Sequence, residues 1–314
     1  MTAFAVEVLE PAGAAGAAAR SHALRARLGR LAWIAPVLVA LVVTTLYPTV
    51  FLLALAFSKS TLGKPFRGFV GIKHFATALQ DPIFLAAIGR SVAYALATSL
   101  VQLALGFLIA LLFTSLLKAG RFLMSLVLLP LMTPPVMVGI AWKLIFAPAG
   151  GLLNGTLITY GVISEPISIL GHPTLAWLAI GVADLWQWTP FIVILCFAAL
   201  STVPESVHEA AMVDGANGWQ RFWHITLPLV AAPLSSIYLL KLILSFKLFD
   251  LVYILTFGGP GFATTSAGFA IYRRAIEQFD VGRAAAETMI YALVIGLVTL
   301  PVVRLHQHFE RREL

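Results

Sequence analysis

Two groups of polar side chains stand inside long apolar runs of this sequence, and they are the residues best placed to handle a solute. Asp184, Gln187 and Trp188 recur at spacings of three and four, and Lys247, Asp250 and Tyr253 at spacings of three. Side chains three and four apart share a face of a helix. A carboxylate, an amide and aromatic rings on one face suit a polyhydroxylated solute such as a sugar. Its C–H faces stack on rings while its hydroxyls take hydrogen bonds. Polar groups inside hydrocarbon are costly enough to be functional candidates by default. A structural reading stands beside this one: Lys247 and Asp250 can neutralise each other, which lowers their burial cost, and either trio can contact another subunit.

Covalent, nucleotide and metal chemistry lack their parts. There is no GxSxG and no HExxH, and the carboxylates within apolar runs do not pair at similar depth. A phosphate cradle needs GxxxxGK[ST], whereas the one Gly-Lys pair, Gly63-Lys64, is followed by Pro65. His172, His208, His224, His306 and His308 show no metal-ligand spacing, and His306 and His308 read as a solvated basic end. The single cysteine, Cys196, excludes a CxxC site and an intramolecular disulfide. No catalytic residue, metal or cofactor is assigned to this chain.

The elements that must position the two trios follow from composition. Of 314 residues, 60% are hydrophobic and 11% charged, against roughly 25% charged in soluble domains. A soluble enzyme is excluded, and so is a nucleic-acid binder, which needs a basic face on a polar exterior. A spanning helix needs about 20 apolar residues, because only internal hydrogen bonding satisfies a backbone in hydrocarbon. Six stretches qualify, near 31–57, 86–116, 122–146, 174–200, 234–257 and 284–304, none with the period-two alternation of a barrel strand. The expected fold is an all-α membrane protein, a bundle of six transmembrane helices over 31–304, with tails at 1–30 and 305–314. Pro130, Pro134 and Pro135 must kink or unwind the third span, and Pro190 the fourth. Trp33, Tyr47, Trp142 and Trp177 near span ends read as interface anchors, and Lys143 as snorkelling to the outer interface.

Orientation rests on Lys and Arg. With the N-terminus inside, ten lie in inside segments, among them Arg20, Arg25, Arg27, Arg30, Lys118, Arg121 and Arg221, and seven in outside segments. Both termini are then cytoplasmic. Cleavage after Ala54-Leu55-Ala56 as a signal peptide is disfavoured, since the first apolar stretch is about twice the length of a usual signal core.

Between the fourth and fifth spans the segment 201–233 interrupts the apolar chain with polar residues. Thr202 and Glu205 fit a capping box, Pro204 suits a first helical turn, and Gly215 ends a helix of about three turns. A second short helix runs from Asn217 to Trp223, before Pro228 stops it. Ala210 and Ala211 permit close approach by a partner, with Glu209 as a charged anchor.

Here the sequence resembles the membrane subunits of binding-protein-dependent ABC importers, whose cytoplasmic loop reads E-A-A, three residues, G, nine residues, I-x-L-P. Glu209-Ala210-Ala211, Gly215 and Ile225-Thr226-Leu227-Pro228 stand at that spacing, and Asp214, Phe222 and Pro233 also fit. Phe69-Val-Gly-Ile-Lys-His-Phe75, Gly151-Leu-Leu-Asn154, Leu255-Thr-Phe-Gly-Gly-Pro260 with Thr264, and Ile271-Tyr-Arg-Arg-Ala275 with Gly282 and Ala284–Ala286 resemble the carbohydrate subgroup, of the maltose-F-like kind. Ile276 and Arg283 depart from the usual Phe and Tyr, which touches donor contact or the entry path rather than the family.

The resemblance implies a type I permease bundle in a bacterial inner membrane. It implies a heterodimer with a second homologous permease, two copies of an ABC ATPase that carry the ATP and Mg, and an extracytoplasmic sugar-binding protein. Glu209, Ala210, Ala211, Asp214, Gly215, Ile225, Leu227 and Pro228 would form the coupling loop to the ATPase. A polyol, glycerol phosphate or another polar solute remains open as cargo, as does a membrane enzyme or passive channel as a different class.

Overall fold

The computed structural model describes residues 33–115 and 120–313, and among them it is helical with no strand. The tail 1–30 and Lys118 lie outside the described residues. Four helices are each long and apolar enough to cross a bilayer, and two bent pairs pass together, which makes six candidate spans. The first, α1 (Trp33–Ala56), is one apolar helix with a π-helical turn at Val42–Leu46.

From Leu55 onward a hairpin-like loop and a short helix α2 (Lys73–Leu79) lead to α3 (Pro82–Ser115). Asp81 starts α3 by accepting hydrogen bonds from the N–H groups of Ile83 and Phe84, at 2.9 and 3.3 Å. The next span is broken. α4 (Gly120–Met132) and α5 (Pro135–Ile145) meet at 95°. Pro134 precedes another proline and is held extended, at φ −57 and ψ 139, which no helix tolerates. α6 (Leu152–Thr159) follows, and Asn154 ties it down by donating to Ile167 O and accepting from Ile167 N–H.

α7 (Pro173–Leu200) is the central helix, and it continues through Pro190 without unwinding. It packs most extensively on α3, where small residues let the backbones approach. A Cβ on Gly106 of α3 would stand 2.6 Å from Ile192 Cγ2 of α7.

α8 (Glu205–Val213) and α9 (Gly218–Leu229) form the polar interruption, and α10 (Ala231–Ser245) leaves α9 at 65°. Thr202 does not cap α8; its hydroxyl donates back to Ala199 O. The reciprocal box is instead Asn217 with Gln220 at the start of α9. Pro228 does not stop α9, because a π-helical turn at Phe222–Thr226 widens the helix just before it, where the ring would otherwise strike the carbonyl four residues back.

The expected continuous helix over 234–257 ends at Ser245. Residues 246–249 leave the helix, which resumes at 250 and widens to a π-helical turn at Val252–Thr256. Carbonyls released there take side-chain donors: Tyr291 Oη bonds Phe246 O, Ser266 Oγ bonds Leu248 O, and Lys143 Nζ bonds Ile254 O at 2.8 Å. Lys143 therefore also serves this turn. Trp177 reaches the loop beyond that turn, its indole N–H donating to Ala263 O.

α11 (Ala267–Tyr272) runs on through a π-helical turn, and α12 (Val281–Glu313) is one helix extending well beyond residue 304. His306 on α12 bonds Ser235 Oγ at 2.9 Å and lies 3.3 Å from Glu310, so it packs on α10 rather than standing in solvent.

Candidate functional site

α7 presents its polar face to both interrupted spans. Asp184 is buried, and its carboxylate receives the Gln102 amide from α3 at 3.0 Å and the Lys241 ammonium from α10 at 3.7 Å. Lys241 is itself 1% exposed, and its ammonium sits over the Trp188 ring, 5.2 Å from the centroid. One turn along α7, the Gln187 amide donates to Thr133 O in the α4–α5 break. The extended Pro134 takes this carbonyl out of the helical ladder, and the Gln187 amide supplies it with a donor.

A cavity of about 290 Å³ opens beside this face, bounded by Asp184, Gln187, Trp188, Lys241, Lys247 and Asp250. Five of the six polar residues singled out in sequence thus converge. They do not do so as two faces of straight helices, because Lys247, Asp250 and Tyr253 lie past the end of α10. Among the described residues Lys247 and Asp250 form no ion pair, and both are exposed. The structural pair is Asp184 with Lys241, which sequence spacing did not link. Tyr253 is not among the cavity-lining residues but stands behind one of them, in a ring cluster with Phe249, Phe269 and Tyr272. Gln102 and Lys241 were missed; their signal was a lone amide and a lone cation inside apolar runs of α3 and α10.

A second charged cluster lies at the start of α3. Asp81 Oδ2 receives Arg274 at 2.6 Å and Arg283, and both arginines reach Glu287 at 3.1 Å. Burial pulls the Asp81 carboxyl up, but the Phe84 and Ile83 N–H groups with Arg283 and Arg274 outweigh it and hold the group below its ordinary value. Arg283, the departure noted in sequence, therefore has a structural partner.

At the other end, α8 exposes Glu209, Ala210 and Asp214, whereas Ala211 is buried against its own chain. Only Ala210 of the two is open to a partner. Gly215 closes the helix at φ +79, with its N–H on Met212 O and the Ala216 N–H on Ala211 O. This is a Schellman closure, and it needs a glycine. Ile225 and Leu227 are half-buried and Pro228 exposed. Met212 (51%) and Val213 (88%), three and four residues on from Glu209, and Trp219 (71%) at the start of α9 are apolar side chains also left exposed at this loop.

Residues 102–314 match the profile described as binding-protein-dependent transport system inner membrane component. The chain belongs to this family. It is a membrane-embedded, multi-pass transport subunit rather than an enzyme, and the transport system it serves depends on a binding protein. Among curated relatives it is 32% identical to the trehalose/maltose transport system permease protein MalF of Thermococcus litoralis, over 89% of this chain and 94% of that protein. It is 28% identical to the sn-glycerol-3-phosphate transport system permease protein UgpA of Agrobacterium fabrum, over 74% of this chain and 78% of that protein. In fold it is similar to a chain of a bacterial ABC transporter involved in the import of the acidic polysaccharide alginate. There the TM-score is 0.80 at 20% identity, covering 91% of this permease and 98% of that chain.

Proposed function

We propose that this permease takes a sugar from an extracytoplasmic binding protein and passes it to the cytoplasm past the polar face of α7. The observation that carries the reading is the cavity beside Asp184, Gln187 and Trp188, bounded by the two broken spans. Broken helices at a polar cavity are where transporters place solute sites. Trp188 and Gln187 offer a ring and an amide, and Lys247 with Asp250 offer exposed donors and acceptors. Two lysines and two aspartates bound the cavity. That balance supports a neutral solute over glycerol phosphate, whose charge calls for a cationic excess.

Energy comes from outside the chain. Two copies of an ABC ATPase, carrying ATP and Mg, would dock on the exposed Glu209 patch, and Gly215, Asp214, Ile225, Leu227 and Pro228 would hold that patch in shape. A second, homologous permease completes the route as a heterodimer. The Glu209 loop and both termini would then face the cytoplasm.

The test is uptake of a labelled disaccharide into proteoliposomes holding the assembled transporter. Uptake that requires ATP, the ATPase and the binding protein supports the reading. Uptake without ATP points to a passive channel, and conversion of the solute points to an enzyme. Uptake of glycerol phosphate in preference to sugars overturns the choice of solute.

A further inference from the structure

The loop between α1 and α3 carries Lys59, Lys64, Arg67 and Lys73, and residues 57–80 hold no carboxylate at all. All four cations are exposed, and beside them stand Phe66 (46%), Phe69 (83%) and Ile72 (73%). Aromatic rings and Arg are enriched at protein interfaces, and charges at an interface rim steer the encounter. The loop is built rigidly. Lys59 N–H bonds Gly68 O at 2.7 Å, Arg67 N–H bonds Lys59 O, and Phe66 N–H bonds Ser60 Oγ at 2.9 Å. It is clasped to the start of α12 by Leu62 N–H on Phe279 O and Gly282 N–H on Ser60 O, both at 3.1 Å. A Cβ on Gly282 would stand 2.7 Å from Ser58 O, so the clasp is close.

This loop lies at the end of the bundle opposite Glu209. It meets the first residues of α12, whereas α9 packs its Phe222 on Phe107 and Leu200, toward the last turns of α3 and α7, and His306 near the end of α12 meets α10. The neighbouring carboxylates are engaged elsewhere: Asp81 by Arg274 and Arg283, and Asp280 by the Arg283 N–H at 3.1 Å. Under the importer reading above, on which this inference rests, that end is extracytoplasmic. Cations are normally sparse there.

We propose that the 57–73 loop is a salt-sensitive docking surface for an acidic face of the extracytoplasmic binding protein. A donor that must arrive and leave in every cycle gains from charge steering more than from tight contact, and charged rims supply that. The ring and aliphatic groups among the cations give the encounter a short-range apolar contact, while the clasp to α12 holds the charges at fixed positions instead of on a loose arm.

The test uses the whole transporter in vesicles of zwitterionic lipid and in vesicles containing anionic lipid, with its own binding protein as donor and poly-L-glutamate as a defined competitor. Donor affinity for wild type should fall with salt, and poly-L-glutamate should inhibit donor-dependent uptake. Combined Lys59→Glu, Lys64→Glu, Arg67→Glu and Lys73→Glu should weaken donor affinity about ten-fold or more at low salt, flatten the salt dependence and abolish the polyglutamate effect. Basal ATPase without donor, which reports assembly, should be unchanged. The corresponding four Gln variants should lie between. Donor affinity within about two-fold of wild type at low salt would overturn the proposal, as would a defect confined to anionic vesicles, which would assign the loop to lipid headgroups. Wild-type vesicles that take up solute without any donor would refute the importer reading, and this inference with it.

Discussion

Lys241→Met removes an ammonium that stands 3.7 Å from Asp184 Oδ2, in a pair whose side chains are 2% and 9% exposed. Breaking one member of a buried pair costs about 3–5 kcal/mol, because the survivor remains desolvated and unpaired. The Gln102 amide still bonds Asp184 at 3.0 Å, which sets the loss toward the lower bound. Loss of the ammonium over Trp188 adds about 0.5–2 kcal/mol. Asp184→Asn strands the lysine and should cost a similar amount. The double variant leaves no charge to strand, and neutral replacement of a buried pair is often close to harmless, so it should recover most of either loss. At 1.4 kcal/mol per tenfold, each single variant should shorten the half-life of thermal inactivation of the detergent-solubilised transporter by about a hundredfold or more. The double variant should return to within about tenfold of wild type on the same scale. Single and double losses that simply add within about 0.5 kcal/mol would refute the coupling of α7 to α10 through this pair.

Gly106→Val should destabilise by about 1–3 kcal/mol through overpacking on Ile192, and Ile192→Ala in the same chain should restore part of it; no effect of the valine would mean that α3 and α7 are not this close. Glu209→Lys should leave the subunit inserted at normal abundance while abolishing ATP-dependent uptake, which solute-uptake and immunoblot measurements on one membrane preparation would read together. Asp81 makes acid stability a further readout. A carboxyl held below its ordinary value contributes stability that is complete above the unfolded value near 4 and drains away as pH falls through the folded value. Wild type should therefore lose thermal stability as pH drops below about 4, and Asp81→Asn should be weaker at neutral pH and lack that step.

The spans were legible because six apolar runs of the right length have no other home than hydrocarbon. The third span's break was legible as well, since Pro134-Pro135 forbids helix at a fixed place. The end of the fifth helix at Ser245 was not. Residues 246–257 are as apolar as those before them, and the groups that satisfy the chain past the helix end are distant: the Tyr291 and Ser266 hydroxyls donate to the Phe246 and Leu248 carbonyls. The candidate site divides in the same way. Asp184, Gln187 and Trp188 share a face because they lie on one helix, whereas the Lys241 partner is set by the crossing of α7 and α10, and spacing within a run carries no trace of it. Local polar signals also misled at Thr202, whose hydroxyl found the nearer Ala199 carbonyl, while Asn217 did the capping.

Gln187 and Thr133 are separated by a stretch of chain that must be made in one direction. Without α7 in place the Thr133 carbonyl lacks the amide that completes it, and a backbone group left unpaired away from water costs free energy. The bend is therefore completed by a residue of the span that follows it. The third span thus owes the shape of its bend to the fourth, and a chain ending before Gln187 would lack that support.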